Sequence, residues 1–401
     1  LDNWYAHFTN LILHQNDKQV KWYGVSLNEW RINVEITTIF VLTWKKSSGI
    51  LSLQKCISGI RRKSMINFER QAYLKDFATI MNLRAQVEGY MDEIFANGVD
   101  NLVLSGIGGT ISIMMPMEIF AKKHTTMPVY LENAAELVLG TNKAIGENSL
   151  VVLYSDSGTT KETVAAAEYC KAHNIPTIGV SCTEGKRLQE VLTYPIVSTA
   201  SDHYSCDGDY MRLYLILAAF LHKKGDFPEY EEFLDNLAKL PVAMADTKEA
   251  VDAEARAYAE QIKDEKYHML VGSGNLWGPT YCYAMCILEE MQWIHTKSIH
   301  AAEFFHGTLE LLEEDTSVMI FKGEDETRCL TERVEAFVPR ISKKMKVFDT
   351  RDYAQGVVAE KYRGDFSPAI IEAIMGRISA HLEIVREHSL DIRRYYKVMD
   401  Y

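Results

Sequence analysis

The chain reads as an α/β protein with two open parallel sheets, each flanked by helices, and a helical C-terminal tail. Three observations predict this. Short apolar runs alternate with helix-patterned runs, first over about 100–225 and again over about 266–350. The first strand of each series ends in a glycine turn, G-I-G-G-T at 106–110 and G-S-G-N at 272–275. A charged stretch of helical pattern, 236–262, separates the two series. Strands alternating with helices fold into parallel layers covered on both faces.

The elements follow in order. M-I-N-F-E-R-Q-A-Y-L-K-D-F-A-T-I-M-N-L, from Met65, has amphipathic spacing and predicts a leading helix. N-L-V-L-S-G predicts a strand through Leu102–Leu104, and I-S-I-M-M-P-M-E-I-F-A-K-K-H the helix after its turn. M-P-V-Y-L-E-N-A-A-E-L-V-L-G gives a second short strand and helix. S-L-V-V-L-Y is a third strand, S-D-S-G-T-T-K-E-T a polar turn, and the following run a helix. I-P-T-I-G-V-S-C is a fourth strand, and a long helix runs from about Tyr210 to Lys224. In the second series H-M-L-V is a strand whose helix carries Pro279 near its start, where a missing N–H does no harm. T-S-V-M-I-F, a helix over R-C-L-T-E-R-V-E-A-F-V, and the strand K-K-M-K-V-F-D-T complete it. The expected units are an extension 1–64, a first α/β domain 65–235, the connection 236–262, a second α/β domain 263–360 and the tail 361–401.

Residues 1–64 differ in composition from the rest. They hold four of the six tryptophans and no methionine, with nine Lys/Arg against four Asp/Glu. The remaining chain has 34 Lys/Arg and 51 Asp/Glu. The segment is read as foreign to the fold, either sequence upstream of a true start at Met65 or a poorly ordered natural extension. Its apolar run I-T-T-I-F-V-L-T-W is too short to span a bilayer, and it lacks the cleavage pattern of a signal peptide. A net charge of −12 argues against nucleic acid, which needs a basic surface. Seven scattered cysteines, an odd number with no C-x-x-C pair, suit a reduced cytoplasmic protein.

Parallel sheets bind ligands beyond the carboxyl ends of their strands. The turn 155–163 stands there and offers hydroxyls on Ser155, Ser157, Thr159, Thr160 and Thr163 at the start of a helix. Free N–H groups and the positive dipole end make such a turn able to hold a phosphate, although Ser, Thr and Asp also favour such positions as simple caps. It is no Walker loop, and G-I-G-G-T is no G-x-G-x-x-G, so no nucleotide cofactor is expected. A second concentration of chemistry lies in E-M-Q-W-I-H-T-K-S-I-H-A-A-E-F-F-H-G at 290–307, with Glu290, Glu303, His295, His300 and His306. The histidines lack H-E-x-x-H spacing, so no metal is expected. From the residues alone an acid/base site and an ordinary solvated stretch of surface both remain open.

The glycine turn, the serine-rich turn and the repeated α/β pattern resemble the sugar isomerase (SIS) domain, over about 85–401. The tandem arrangement is similar to the isomerase half of glucosamine-6-phosphate synthase. The blocks E-M-Q-W-I-H and I-H-A-A-E-F-F-H-G, with the terminal R-R-Y-Y, resemble the deglycases of 6-phosphorylated Amadori compounds; Thr308 departs from the proline usual there. The resemblance implies Glu290 as base and His306 as its acid/base partner, and phosphate held by Ser155, Ser157 and Thr160 with Thr110 joining. It leaves Glu303 and His300, like His295, in supporting positions. It also implies a homodimer or higher oligomer with sites shared between chains. The expected substrate is a phosphorylated sugar-amine, with neither nucleic acid nor membrane as partner.

The chemistry so implied is proton transfer alone. A carboxylate can remove a carbon-bound proton if apolar neighbours raise its pKa, and Cys286, Ile287, Met291 and Ile294 flank Glu290. Histidine titrates near neutrality and can serve the oxygen. The same pair would serve an aldose–ketose or amino-sugar phosphate isomerase, and a non-catalytic phosphosugar sensor is a further alternative.

Overall fold

The computed structural model describes residues 65–199 and 206–400. The extension read at 1–64 lies outside the described residues. Two leading helices, α1 (Arg70–Ala78) and α2 (Arg84–Asn97), precede the first sheet. That sheet contains β1 (Asn101–Gly106), β2 (Val129–Asn133), β3 (Ser149–Ser155), β4 (Thr177–Ser181) and β5 (Tyr194–Val197). Their spatial order is β2-β1-β3-β4-β5 and every pairing is parallel. Helices α3 (Gly109–His124), α4 (Ala134–Leu137), α5 (Lys161–Ala172) and α6 (Arg187–Val191) form the crossovers. The short α6 and β5, over R-L-Q-E-V and Y-P-I-V, carry too little periodicity to be read from sequence.

Helices α7 (Asp209–Lys224), α8 (Tyr230–Leu237) and α9 (Leu240–Ile262) lead to the second sheet. It contains β6 (Tyr267–Gly272), β7 (His295–His300), β8 (Ser317–Lys322) and β9 (Lys344–Asp349), in the parallel order β7-β6-β8-β9. Between β6 and β7 runs α10 (Trp277–Cys282), which continues as a π-helix over Tyr283–Glu289. Helix α11 (Arg328–Phe337) joins β8 to β9, and α12 (Glu360–Val385) crosses beside α9. The tail is mainly helical, as the sequence suggested, through α12, and irregular beyond it. β7 was also missed: H-T-K-S-I-H reads as polar because β7 is an edge strand whose residues stay mostly half-exposed.

Alternate residues of each strand face different cores, as burial on both faces of a parallel sheet requires. Leu102 and Leu104 enter one large core shared with Leu270, Met319, Phe321, Ile374 and Ile378. Val103, Val151 and Leu153 pack instead against Ala166 and Ala167 of α5. Met269, Val271, Val318 and Ile320 pack on Phe304 and Val334. The shared core therefore spans both sheets. Buried ion pairs fix α12 within it: Arg363 to Glu324 at 2.7 Å and Arg377 to Asp252 at 2.6 Å.

The site is positioned by the crossing of α3 and α10. At Gly278 the two backbones touch so closely that a β-carbon would stand 2.1 Å from the Ser112 carbonyl oxygen. Beside it, a β-carbon on Gly109 would lie 3.7 Å from the Cys286 sulfur and 3.9 Å from that of Cys282. The glycine turn of the first sheet is thereby set against the helix that leads to Glu290. Alanine in a helix normally stabilises by about 1 kcal/mol relative to glycine. Gly278→Ala is expected to reverse that sign and cost roughly 1–3 kcal/mol through overpacking. Denaturant melts with an unchanged m-value would show this; unchanged or increased stability would refute the close crossing.

Candidate functional site

Strand order reverses between β1 and β3, so the crevice of the first sheet opens at their carboxyl ends. Turns 106–110 and 155–160 stand there together. Ser155 is fully buried and shares a hydrogen bond with Thr160 at 2.9 Å. Thr160 precedes α5, yet its hydroxyl caps no backbone N–H. The simple cap reading therefore fails at Thr160. Ser157 is half-buried and its Oγ accepts from the Thr159 N–H and hydroxyl at 3.3 and 3.1 Å. Gly158 has φ +64°, and a β-carbon there would strike the Lys186 side chain at 2.6 Å. The bend therefore depends on glycine twice over. Thr110 closes its own turn: its hydroxyl donates to the Ile107 carbonyl and accepts the Ile107 N–H, both at 2.9 Å.

Under the hydroxyl turn lies a buried charged network that sequence reasoning missed. Arg212 of α7 is 2% exposed and bonds Ser198 at 2.9 Å, with Tyr154 and Asp209 both at 3.1 Å. Tyr154 donates in turn to Asp209 at 2.5 Å. Asp156 turns inward, with its carboxyl, that of Asp209 and the Cys182 sulfur all within 4.8 Å. Its charge thus lies beneath the turn and not among the hydroxyls. Burial, with Asp156 and Asp207 adding, pushes Asp209 up to about 7 against the pull of Arg212. The available signal was an Asp and an Arg spaced i, i+3 in an otherwise apolar helix.

Glu290 ends the π-helix. Its N–H donates to the Met285 carbonyl and that of Gln292 to Ile287, both five residues back and at 3.0 Å. Such segments recur at functional sites because they re-aim side chains. Glu289 and Glu290 then part: Glu289 accepts from Thr296 at 2.5 Å, while Glu290 meets Arg393 of the tail at 2.7 Å. Apolar embedding of Glu290 is not what the structure provides. Its side chain is 26% exposed and held by a guanidinium, because the tail folds back over this helix end. Both glutamates line a cavity of about 570 Å³ with Trp293, Ile294, His295, Thr296 and residues 393–396. Trp293 turns the chain toward β7 with φ +56°, a strained conformation for a bulky residue.

His306 is exposed, beyond the carboxyl end of β7, and among the described residues its side chain has no partner. Glu303 is exposed nearby. His300 ends β7; burial pushes its pKa down, its Nδ1 accepts the Ala302 N–H at 3.2 Å, and its ring meets Trp277 edge-on at 5.5 Å. His295 begins β7 at the cavity. Glu290 therefore lies at the amino end of β7 and His306 past its carboxyl end, with six strand residues, about 17 Å, between. One chain does not bring this pair together.

Burial pushes Glu372 of α12 up to about 8, with Asp207 and Asp209 adding and Lys248 opposing. The clue in sequence was a lone acid within A-I-I-E-A-I-M. Between its ordinary value of 4.5 and about 8, the folded protein retains a proton that the unfolded chain releases. Stability from this carboxyl is full below the unfolded value and is lost as pH rises through the folded one. Glu372→Gln is expected to raise the melting temperature by several degrees at about pH 8.5 and to change it little near pH 4.5. Calorimetry at both pH values checks this; an equal difference at both would refute it.

Residues 98–221, the first sheet with its helices through most of α7, match the SIS domain. Fructosamine deglycase FrlB of Bacillus subtilis (strain 168) is 28% identical over 318 residues, 79% of this chain and 97% of that protein. Fructoselysine 6-phosphate deglycase of Escherichia coli (strain K12) is 23% identical over 312 residues, 77% and 89% of the two chains. A crystal structure from Bacillus subtilis described as a phosphosugar isomerase superposes with a TM-score of 0.76 at 28% identity, over 79% of this chain and 97% of that one. The likeness therefore runs along nearly the whole of these relatives. The first sheet and its helices thus match a SIS domain, and the chain is similar over most of its length to fructosamine and fructoselysine 6-phosphate deglycases.

Proposed function

We propose that the chain cleaves a 6-phosphorylated Amadori compound to glucose 6-phosphate and an amine, with Glu290 as the carbon base. Its likeness to deglycases over nearly their whole length supports the reading. The observation that carries it is Glu290 itself, a carboxylate on a cavity wall, one turn beyond a cysteine that abuts the glycine turn of the phosphate-sized crevice. Ser155, Ser157 and Thr160 are assigned to the phosphate. Thr110 shapes the adjoining turn. Anchoring the far end of the sugar lets its binding energy position C1 and C2.

In this mechanism Glu290 takes a proton from C1 of the ketosamine and the C2 oxygen gains one from His306, giving an enolamine. A proton returned to C2 leaves a C1 imine. Water adds at C1, and the C1–N bond breaks as the nitrogen gains a proton. The products are the aldose 6-phosphate and the free amine, with one water consumed. Each step is general acid–base catalysis. The separation of Glu290 and His306 along β7 supports sites completed by a second copy of the chain.

Glu290→Gln is expected to lower release of glucose 6-phosphate by at least about 100-fold, the usual contribution of a positioned base. A coupled assay on a panel of 6-phosphorylated Amadori compounds measures it. Retained activity, or exchange of the C1 hydrogen with deuterated solvent at the unaltered rate, would remove Glu290 from the role. Isomerisation of fructose 6-phosphate with ammonia, without cleavage of any panel member, would favour the isomerase reading instead. Mixing Glu290→Gln with His306→Asn should restore part of the activity through hybrid oligomers. No recovery would count against shared sites.

A further inference from the structure

We propose that the Glu372 carboxyl group binds hydroxyls of the sugar between its phosphate and C1. The inference rests on the deglycase reading and adds a contact to the part of the substrate that does not react. Helix α12 is buried almost throughout. From Asp365 to Leu382 only Glu372 and Gly376, about one turn apart on the same face, keep access to solvent. That face opens among the elements that bound the crevice, since α12 packs against α3, α7, α10 and the turn Cys206–Gly208. The glycine turn at 107–111, and Asp156, Ser157 and Thr160 of the hydroxyl turn, are half-buried in the same way.

Electrostatic neighbours place the carboxyl within the crevice. The Cys282 thiol, whose sulfur lies against Gly109, is pushed up by its bond to Cys286, by burial and by the Glu372 charge. Burial and then the Glu372 charge push up the Tyr210 hydroxyl at the start of α7. The charged groups that act on Glu372 are Asp207, Asp209 and Lys248, from the Cys206–Gly208 turn, α7 and α9. Tyr210, Cys282 and Tyr283 are the titratable groups that face it from α7 and from α10 with its π-helical continuation. Among the described residues no hydrogen bond or ion pair holds the carboxyl. Lys248, the cation at hand, is bound to Asp207 at 2.8 Å. A carboxyl set deep in a fold without a partner costs stability, and a ligand hydroxyl supplies the partner. The retained proton suits that task. Up to about pH 8 the group both donates and accepts, and it adds no charge to repel the phosphate. Above that the donor is lost and the phosphate meets another anion, so substrate binding weakens.

The test measures KM and kcat of the full chain on the 6-phosphofructosyl amine that it cleaves fastest, and on the 3-deoxy and 4-deoxy forms of that compound. KM should rise about 8-fold from about pH 7.5 to about pH 9, as the carboxyl ionises. Glu372→Gln keeps a donor and an acceptor and should hold KM nearly level over that range. Glu372→Met keeps the length without either, and should raise KM about 3- to 10-fold at about pH 7.5 while changing kcat less. One deoxy compound should lose as much with the unaltered chain, and nothing further with Glu372→Met. A rise in KM that Glu372→Gln shares in full, or a Glu372→Met chain whose KM values equal those of the unaltered chain, overturns the contact while cleavage itself upholds the deglycase reading. No amine release from any 6-phosphofructosyl amine by the unaltered chain overturns both.

Discussion

The close crossing of α3 and α10 is the contact on which the arrangement of the site depends. Two parallel sheets by themselves provide two unrelated crevices. Backbone contact at Gly278, and the two cysteine sulfurs seated on Gly109, fix the turn of one sheet against the helix of the other. Interiors packed at crystal-like density transmit such a constraint with little slack. The glycine turn and the helix that leads to Glu290 consequently meet although more than a hundred residues separate them.

Around this contact the protein buries charge in opposed ways. Arg212, Arg363 and Arg377 are each held by a carboxylate and by carbonyl or hydroxyl oxygens, so their burial is compensated by several bonds. Burial pushes Asp209 up to about 7 and Glu372 up to about 8, with neighbouring carboxylates adding to each. Tyr154 and Arg212 brace the floor of the hydroxyl turn, which leaves Ser155 and Thr160 paired to each other above it. The tail shows a third arrangement. Arg393 holds a carboxylate at a partly open wall, where the pair is accessible to a ligand.

Much of this was legible in the sequence because strong local patterns carried it. The apolar runs of β1, β3, β6 and β8 fix strands buried on both faces, and the glycine and serine turns mark their carboxyl ends. Glu290 and His306 were picked out by the E-M-Q-W-I-H and E-F-F-H-G blocks. What stayed hidden depends on tertiary neighbours. H-T-K-S-I-H is a strand only because β6 pairs with it along its whole length. The five-residue hydrogen bonds before Glu290 leave no mark in Y-A-M-C-I-L-E, which reads as ordinary helix. R-R-Y-Y gave no hint that one arginine would pair with Glu290 and the next stack on Trp293. The placement of Glu290 and His306 at opposite ends of β7 required the register of the second sheet.

The π-helix has an evolutionary corollary. A wide turn of this kind amounts to one residue inserted into an α-helix. Losing a single codon anywhere in Tyr283–Glu289 would restore α-helical winding and rotate the residues between it and β7 by about 100°. Glu290 would leave the cavity wall while both sheets, the core and the hydroxyl turn kept their places. Under the role proposed for Glu290, a one-residue deletion is thus a short path from a catalyst to a protein that would only grip the same ligands, and an insertion is the way back.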